Sequence, residues 1–228
     1  MRRVSNPLKL NYFVRRSSYV VALAAVFGCG GKKPAKAPTP EPTAPLPTAG
    51  LAGQRVALTP LELVGAEDTL HLDTLIADRR KTLDKCDSVI MAFLTARAPE
   101  VTWVGPAELR HIAHRAPGIV AEPDQLGTPF LRAAGIVDVP DPLRYQLRTL
   151  MGLVGGRYVM IPAGLVFRKP AAGLPGADVP GEINAELSIV MIDSRVGKVG
   201  FRTVARGQGP DVWTALTRAV KNLTPGVP

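Results

Sequence analysis

Glu108-Leu-Arg-His111-Ile-Ala-His114 sets three potential metal ligands three residues apart, on one face if the segment is helical. Glu-x-x-His occurs in carboxylate metal centres, where a carboxylate and an imidazole share the charge of one cation. Such centres draw ligands from several helices. This chain has no second histidine cluster, since His71 stands alone. The triplet therefore reads as a solvated helix face. Asp78, Asp84 and Asp87 lie among Arg79, Arg80, Lys81 and Lys85, a pattern that reads as surface pairing at i,i+4. Gly28-Cys-Gly-Gly-Lys32 has the glycines of a phosphate loop without its spacing. Gly152-Leu-Val-Gly155-Gly156 precedes a strand-like run, whereas a dinucleotide loop follows one. Neither G-x-S-x-G nor H-E-x-x-H occurs. The expectation is a protein that is not an enzyme, with no cofactor, no metal site and no small-molecule substrate.

The two cysteines read differently. Cys86 falls in the helical stripe Leu75, Leu83, Cys86, Ile90, Phe93, Leu94, where a free thiol packs as a small hydrophobe. Cys29 ends an export segment. Arg15 and Arg16 close a basic stretch, and the apolar run from Tyr19 to Gly28 follows. Ten such residues make about 15 Å of helix, half of a bilayer core, which fits a signal segment and not a spanning helix. Val26-Phe27-Gly28-Cys29 resembles the lipobox of bacterial lipoproteins, with a small residue before the modified Cys. The resemblance implies diacylglycerol on Cys29, cleavage before it and acylation of the new terminus. Several acyl chains hold a protein on a membrane far better than one, since each buried CH₂ adds ~0.8 kcal/mol. Gly30 stands where an acidic residue would retain a lipoprotein in the inner membrane, so the resemblance implies an outer-membrane protein facing the periplasm. With Cys29 acylated no intramolecular disulfide can form, and the core alone must hold the domain.

The formal charge of +9 would ordinarily suggest nucleic acid. Its distribution argues otherwise, because residues 1–28 carry five bases and no acid, leaving 23 basic and 19 acidic residues in the rest of the chain. The basicity belongs to targeting, and no nucleic-acid partner is expected. Residues 30–52 hold six prolines and almost no large apolar side chain. Such a stretch is biased to extended polyproline II, and at ~3.1 Å per residue it could reach on the order of 70 Å. The expected organisation is a signal peptide (1–28), a lipidated Cys with a Pro/Ala/Thr-rich disordered tether (29–53), and one globular domain (54–228).

Within that domain, Val56 and Leu58 alternate like a strand that runs from Arg55 toward Val64, with Pro60 marking its end or an edge. A long amphipathic helix is expected from about Leu70 to Ala96, then a short strand over Val101–Val104. Gly105-Pro106 opens a helix through His114, and a short helix is expected from Pro129 to Ala134. Asp141-Pro142 reads as N-cap and first turn of a helix with Leu143, Leu147, Leu150, Met151 and Val154 on one face, stopped by Gly155-Gly156. Arg157–Phe167 reads as a strand. Ile183, Ala185, Leu187, Ile189 and Met191 alternate with outward positions, and a turn at Asp193–Lys198 leads to Val199, Phe201 and Thr203. Val212, Leu216, Ala219, Val220 and Leu223 mark a closing helix. The order β-α-β-α-(α)-α-β-β-β-α gives an α/β (α+β) domain, a mixed β-sheet with helices packed on it.

Three stretches carry a resemblance: Arg55-Val-Ala-Leu-Thr-Pro-Leu-Glu62, the helix into Gly155-Gly-Arg-Tyr-Val-Met-Ile-Pro-Ala-Gly-Leu165, and Leu187-Ser-Ile-Val-Met-Ile-Asp-Ser-Arg-Val-Gly-Lys-Val-Gly200. Together they resemble a periplasmic group comprising the TolB N-terminal domain, the curli-channel lipoprotein CsgG and LpoB, the lipoprotein activator of class A penicillin-binding proteins. The resemblance spans Arg55–Leu223. It implies a TolB N-terminal-domain-like fold, no catalytic residue, and work done by binding an envelope or periplasmic protein. The order of lipid, tether and single domain looks most like LpoB. A subunit of an oligomeric outer-membrane assembly or secretion channel of CsgG type is the alternative, from which the long tether departs.

Overall fold

The computed structural model describes residues 49–73, 77–170 and 181–223. Cys29 and the lipobox lie outside these residues, as does Leu75. Among these residues ten strands and α-helices follow in order: β1 (Arg55–Leu58), β2 (Val64–Ala66), α1 (Arg79–Arg97), β3 (Thr102–Val104), α2 (Pro106–Arg115), α3 (Leu143–Val154), β4 (Tyr158–Arg168), β5 (Ile183–Asp193), β6 (Lys198–Gly209) and α4 (Val212–Lys221). The six strands form one mixed sheet in the order β3-β1-β4-β5-β6, with β2 also paired to β4. As expected, β1 and β3 are parallel, and β4, β5 and β6 form an antiparallel meander.

The run expected as one strand from Arg55 toward Val64 divides in two. Pro60 cannot donate to a ladder. After Thr59 N–H reaches Met160 O at 3.1 Å, the chain leaves the sheet and rejoins it at Val64. β4 is long enough to hold both pieces, β1 along Val159 and β2 along Val166. The expected long helix also begins later. Asp68–Leu70 is a 3-10 turn, and α1 buries Thr82, Cys86, Ile90, Leu94 and Arg97 along one stripe. The helix expected at 129–134 is instead a 3-10 segment, Thr128–Arg132.

Helices cover both faces of the sheet. On one face, Cys86, Ile90 and Leu94 of α1 and Leu216 and Ala219 of α4 pack on Val56, Leu58, Met160, Leu187 and Ile189. On the other, Leu109 of α2 and Leu147 and Leu150 of α3 pack on Ala57, Val159, Ile161, Val190 and Ile192. The alternation expected along β5 is therefore corrected: Val190, an outward position in that pattern, is fully buried beneath the second helical layer, as is Ile192 after it. Each such side chain is worth about 1.5–3 kcal/mol of burial.

Local chemistry fixes the joints. Asp211 caps α4 by accepting the N–H groups of Trp213 and Thr214. Gly155 closes α3 at φ 74°, with its N–H on Met151 O at 2.9 Å. Arg97, buried on α1, donates to Lys221 O at 2.6 Å and Leu223 O at 3.0 Å at the carbonyl end of α4, where a cation is favoured. The outer edge of β6 is partly covered: Asn222 and Arg218 donate to Arg206 O and Gln208 O, and Val199 N–H pairs with Val137 O. Side chains and a neighbouring segment thus occupy groups that would otherwise invite another strand.

Candidate protein interface

The chain leaving β1 passes by way of β2 to α1 on one face of the sheet, and the chain leaving β3 passes to α2 on the other. A crevice opens where such paths diverge, a common place for ligands in open α/β sheets. Here charge fills it. Arg110 of α2 donates through Nε and Nη2 to Asp124, each at 2.8 Å, and through Nη2 to Asp87 at 3.1 Å. Its Nη2 also lies 3.2 Å from Asp84, and Arg80 lies 3.2 Å from Asp124. Asp87 is only 4% exposed and accepts the Leu61 N–H at 2.8 Å. Burial pushes its carboxyl up to about 7 against the lowering by the Leu61 N–H and Arg110. Asp124 is held below the usual carboxylate range by its hydrogen bonds to Arg110. The carboxylates face guanidinium groups of the same chain, so the cluster is a crossbar joining α1, α2 and the 123–125 turn. Reading Asp87 as a surface pairing residue is thereby corrected. Among the described residues no group of three or more His, Cys, Asp or Glu could hold a metal ion.

The opposite end of the sheet carries a different surface. Tyr158 of β4 pairs with Asp193 of β5, which pairs with Lys198 of β6, so the β5–β6 turn lies beside the start of β4. That turn is rigidly made. Asp193 accepts the Arg195 N–H at 3.0 Å and the Arg157 Nε at 2.8 Å. Burial pushes the Asp193 carboxyl up, but the Arg157 guanidinium and the Arg195 and Val196 N–H groups outweigh it and hold it low. Gly197 takes φ 72°, and a Cβ there would collide with the Arg144 stem at 2.3 Å, so the start of α3 lies directly on the turn.

Between them is a hollow of about 650 Å³ lined by Asp141, Arg144, Tyr145, Arg148, Arg195 and Val196, with Pro142 at its wall. Asp141, expected as the cap of α3, instead accepts from the Arg144 side chain at 2.9 Å, and Pro142 occupies the cap position. Tyr145 is 68% and Val196 56% exposed. Val137, beside the turn, is exposed as well. Among the described residues neither Arg148 nor Arg195 has a carboxylate within ion-pair distance. Large apolar groups next to unneutralised cations on a preformed scaffold suit contact with another macromolecule.

No protein-family model and no curated protein matches the chain. Among solved structures, it is similar to the LpoB C-terminal domain from Salmonella enterica at 13% identity, over 69% of this chain and 84% of that one, with a TM-score of 0.37. The LpoB C-terminal domain from Escherichia coli gives 12% identity, 68% and 83% coverage and a TM-score of 0.38. An NMR structure of E. coli LpoB gives 12% identity, 91% coverage of each chain and a TM-score of 0.36. At these values the likeness transfers no residue role, partner or activity to this chain.

Of the residues singled out in the sequence, Cys86 is fully buried, and burial pushes its thiol up to about 12. Glu108, His111 and His114 are all exposed on α2, with His114 3.7 Å from Glu122. No helix among the described residues is long and apolar enough to cross a membrane. The hollow itself was not anticipated. Its one visible signal is a tyrosine on the polar side of a strongly amphipathic helix, with valine at the tip of a turn.

Proposed function

We propose that this chain is a lipoprotein anchored through Cys29 in the outer membrane, with residues 30–52 as spacer. In this reading the α/β domain is a non-catalytic module that docks on a periplasmic or envelope protein and regulates it, a cell-wall enzyme such as a penicillin-binding protein being the type of partner. The observation that carries the protein-binding part is the hollow beside α3, where exposed Tyr145 and Val196 adjoin Arg148 and Arg195. The anchor rests on the lipobox sequence Val26-Phe27-Gly28-Cys29 and the basic and apolar stretches before it.

Metabolic labelling with a fatty acid, followed by membrane fractionation, tests the anchor. Wild type and Cys86→Ala should be labelled and sediment with membranes, and Cys29→Ala should do neither. Acylation persisting in Cys29→Ala would refute it. The spacer is tested by deletion: removing residues 34–47 should abolish function in cells, whereas scrambling them with the prolines kept should preserve it. Crosslinking in living cells, with identification of the captured protein, tests the binding role. Recovery of one envelope protein at defined stoichiometry is expected. A ring of copies of this chain alone would instead establish an oligomeric assembly.

A further inference from the structure

Building on the protein-binding reading above, we infer that the hollow between α3 and the β5–β6 turn receives an acidic segment of the partner protein, carboxylates meeting Arg148 and Arg195 and an apolar side chain seated between Tyr145 and Val196. The hollow holds three arginines and one aspartate, and that aspartate is already engaged by Arg144. The surplus is therefore the charge of Arg148 and Arg195, left unanswered among the described residues. Guanidinium groups form paired, planar hydrogen bonds to carboxylates, so two of them flanking an apolar floor select negative charge and shape together.

The scaffold is set beforehand. The Asp193 carboxylate fixes the turn through the Arg195 N–H and Arg157, and the Arg144 stem lies on Gly197. A surface held this way gives up little conformational entropy on binding. Two other occupants fit the charge less well. The chain's own residues 1–48 carry eight bases and one acid, which these arginines would repel. A second copy meeting the hollow symmetrically would bring the same arginines face to face.

The test uses the full chain in nonionic micelles and a short fluorescein-labelled peptide alternating Glu with Leu, followed by fluorescence anisotropy. The Glu peptide should bind, its Gln counterpart should bind about tenfold more weakly or worse, and added salt should narrow the gap. The double variant Arg148→Glu/Arg195→Glu should lose about tenfold or more of the affinity with its circular dichroism unchanged, since both side chains are exposed. Tyr145→Ala should weaken the Glu and Gln peptides alike. Equal binding of the two peptides, or full affinity in the charge-reversed variant, overturns the inference. So does displacement of the Glu peptide by inorganic phosphate or by phosphatidylglycerol in the micelles at comparable concentration, which would make the hollow a phosphate or lipid site.

Photo-crosslinking in cells from position 145, with exposed Ile119 as a second position, separates the two failures. An envelope protein captured from 119 and never from 145 overturns the hollow and leaves protein binding standing. Capture from neither position counts against the protein-binding reading itself. Capture from 145, lost in the charge-reversed variant and mapping to an acidic stretch of the partner, is the supporting result.

Discussion

Arg110 on α2 reaches Asp87 on α1 at 3.1 Å past the ends of β1 and β3, so one ion pair joins helices that cover opposite faces of the sheet. Asp87 also fixes the path of the chain leaving β1, through the Leu61 N–H. The carboxylate thus ties three segments, and its burial sets the sign of its pH dependence.

In the unfolded chain Asp87 releases its proton near 3.8, and in the folded protein near 7. Between these values the folded state binds more protons than the unfolded state. Stability contributed by this group is therefore full below about 3.8 and is lost as pH rises through about 7. Asp124 works in the other direction, because its carboxyl is lowered: its contribution stands above about 3.8 and fades as pH falls further. Urea denaturation of wild type and Asp87→Asn from pH 4 to 8 separates the two. The wild type should lose stability relative to the variant across that range by on the order of 1–3 kcal/mol. A pH-independent difference between the two proteins would refute the assignment.

Cys86 should be inert in the folded protein. It is fully buried in the core beneath α1, and burial raises its thiol to about 12, so almost no thiolate exists at neutral pH. Alkylation by iodoacetamide at pH 8 should run at least about a thousandfold more slowly than in denaturant, its rate reporting opening of the core. Labelling of the folded protein at the denatured rate would show the thiol to be accessible.

The helix-face reading of Glu108, His111 and His114 predicts that none of them matters to the fold. All three side chains point into solvent. The triple alanine variant should unfold within about 0.5 kcal/mol of wild type. Stoichiometric, tightly bound metal in the purified full chain, lost on His114→Ala, would reveal a site that these exposures do not suggest.

Periodicity and turn residues made much of the fold legible. Pro106 opened α2, Gly155 closed α3, and the β5–β6 hairpin followed from apolar strands around Asp193–Lys198. What escaped depended on contacts between residues far apart in the chain. Asp87 lies among the bases of its helix, but its i±3 and i±4 neighbours are Leu83, Asp84, Ile90 and Met91, and its partners, the Leu61 N–H and Arg110, lie 26 residues earlier and 23 later. The split into β1 and β2 depends on β4, a strand about a hundred residues later that is long enough to take both. Arg148 and Arg195, 47 residues apart in the chain, line one hollow because the turn at Gly197 lies against Arg144 of α3. β6 runs on to Gly209, past Thr203, where the expected strand stops: its inward positions continue through Ala205 to Gly207 and Gly209, which lie under α4 and carry no apolar side chain to mark them.

That service gives the last prediction. α4 crosses β6 so closely that a Cβ at Gly207 would fall 2.1 Å from Ala219 N and 2.4 Å from Ala215 O, which are backbone atoms and cannot rotate aside. Ala215 and Ala219 are fully buried at this crossing, so neither surface has slack. Gly207→Ala must lift α4 off the sheet. That would strain the Asn222 bond to Arg206 O and the Arg218 bond to Gln208 O, and draw the α4 carbonyls away from Arg97. The expected loss is about 3 kcal/mol, at the upper end for overpacking because the obstruction is main chain. Gly200→Ala is the matched control on the same strand: its nearest neighbour is Met191 O at 4.0 Å, so it should cost less than about 1 kcal/mol. Trp213, which carries Lys85 over its ring at 3.7 Å, reports the displacement directly. With Trp103 replaced by Phe to isolate it, its fluorescence should shift in Gly207→Ala and stay unchanged in Gly200→Ala. Equal stability of the two variants with an undisturbed Trp213 would mean that α4 does not rest on β6 through this glycine.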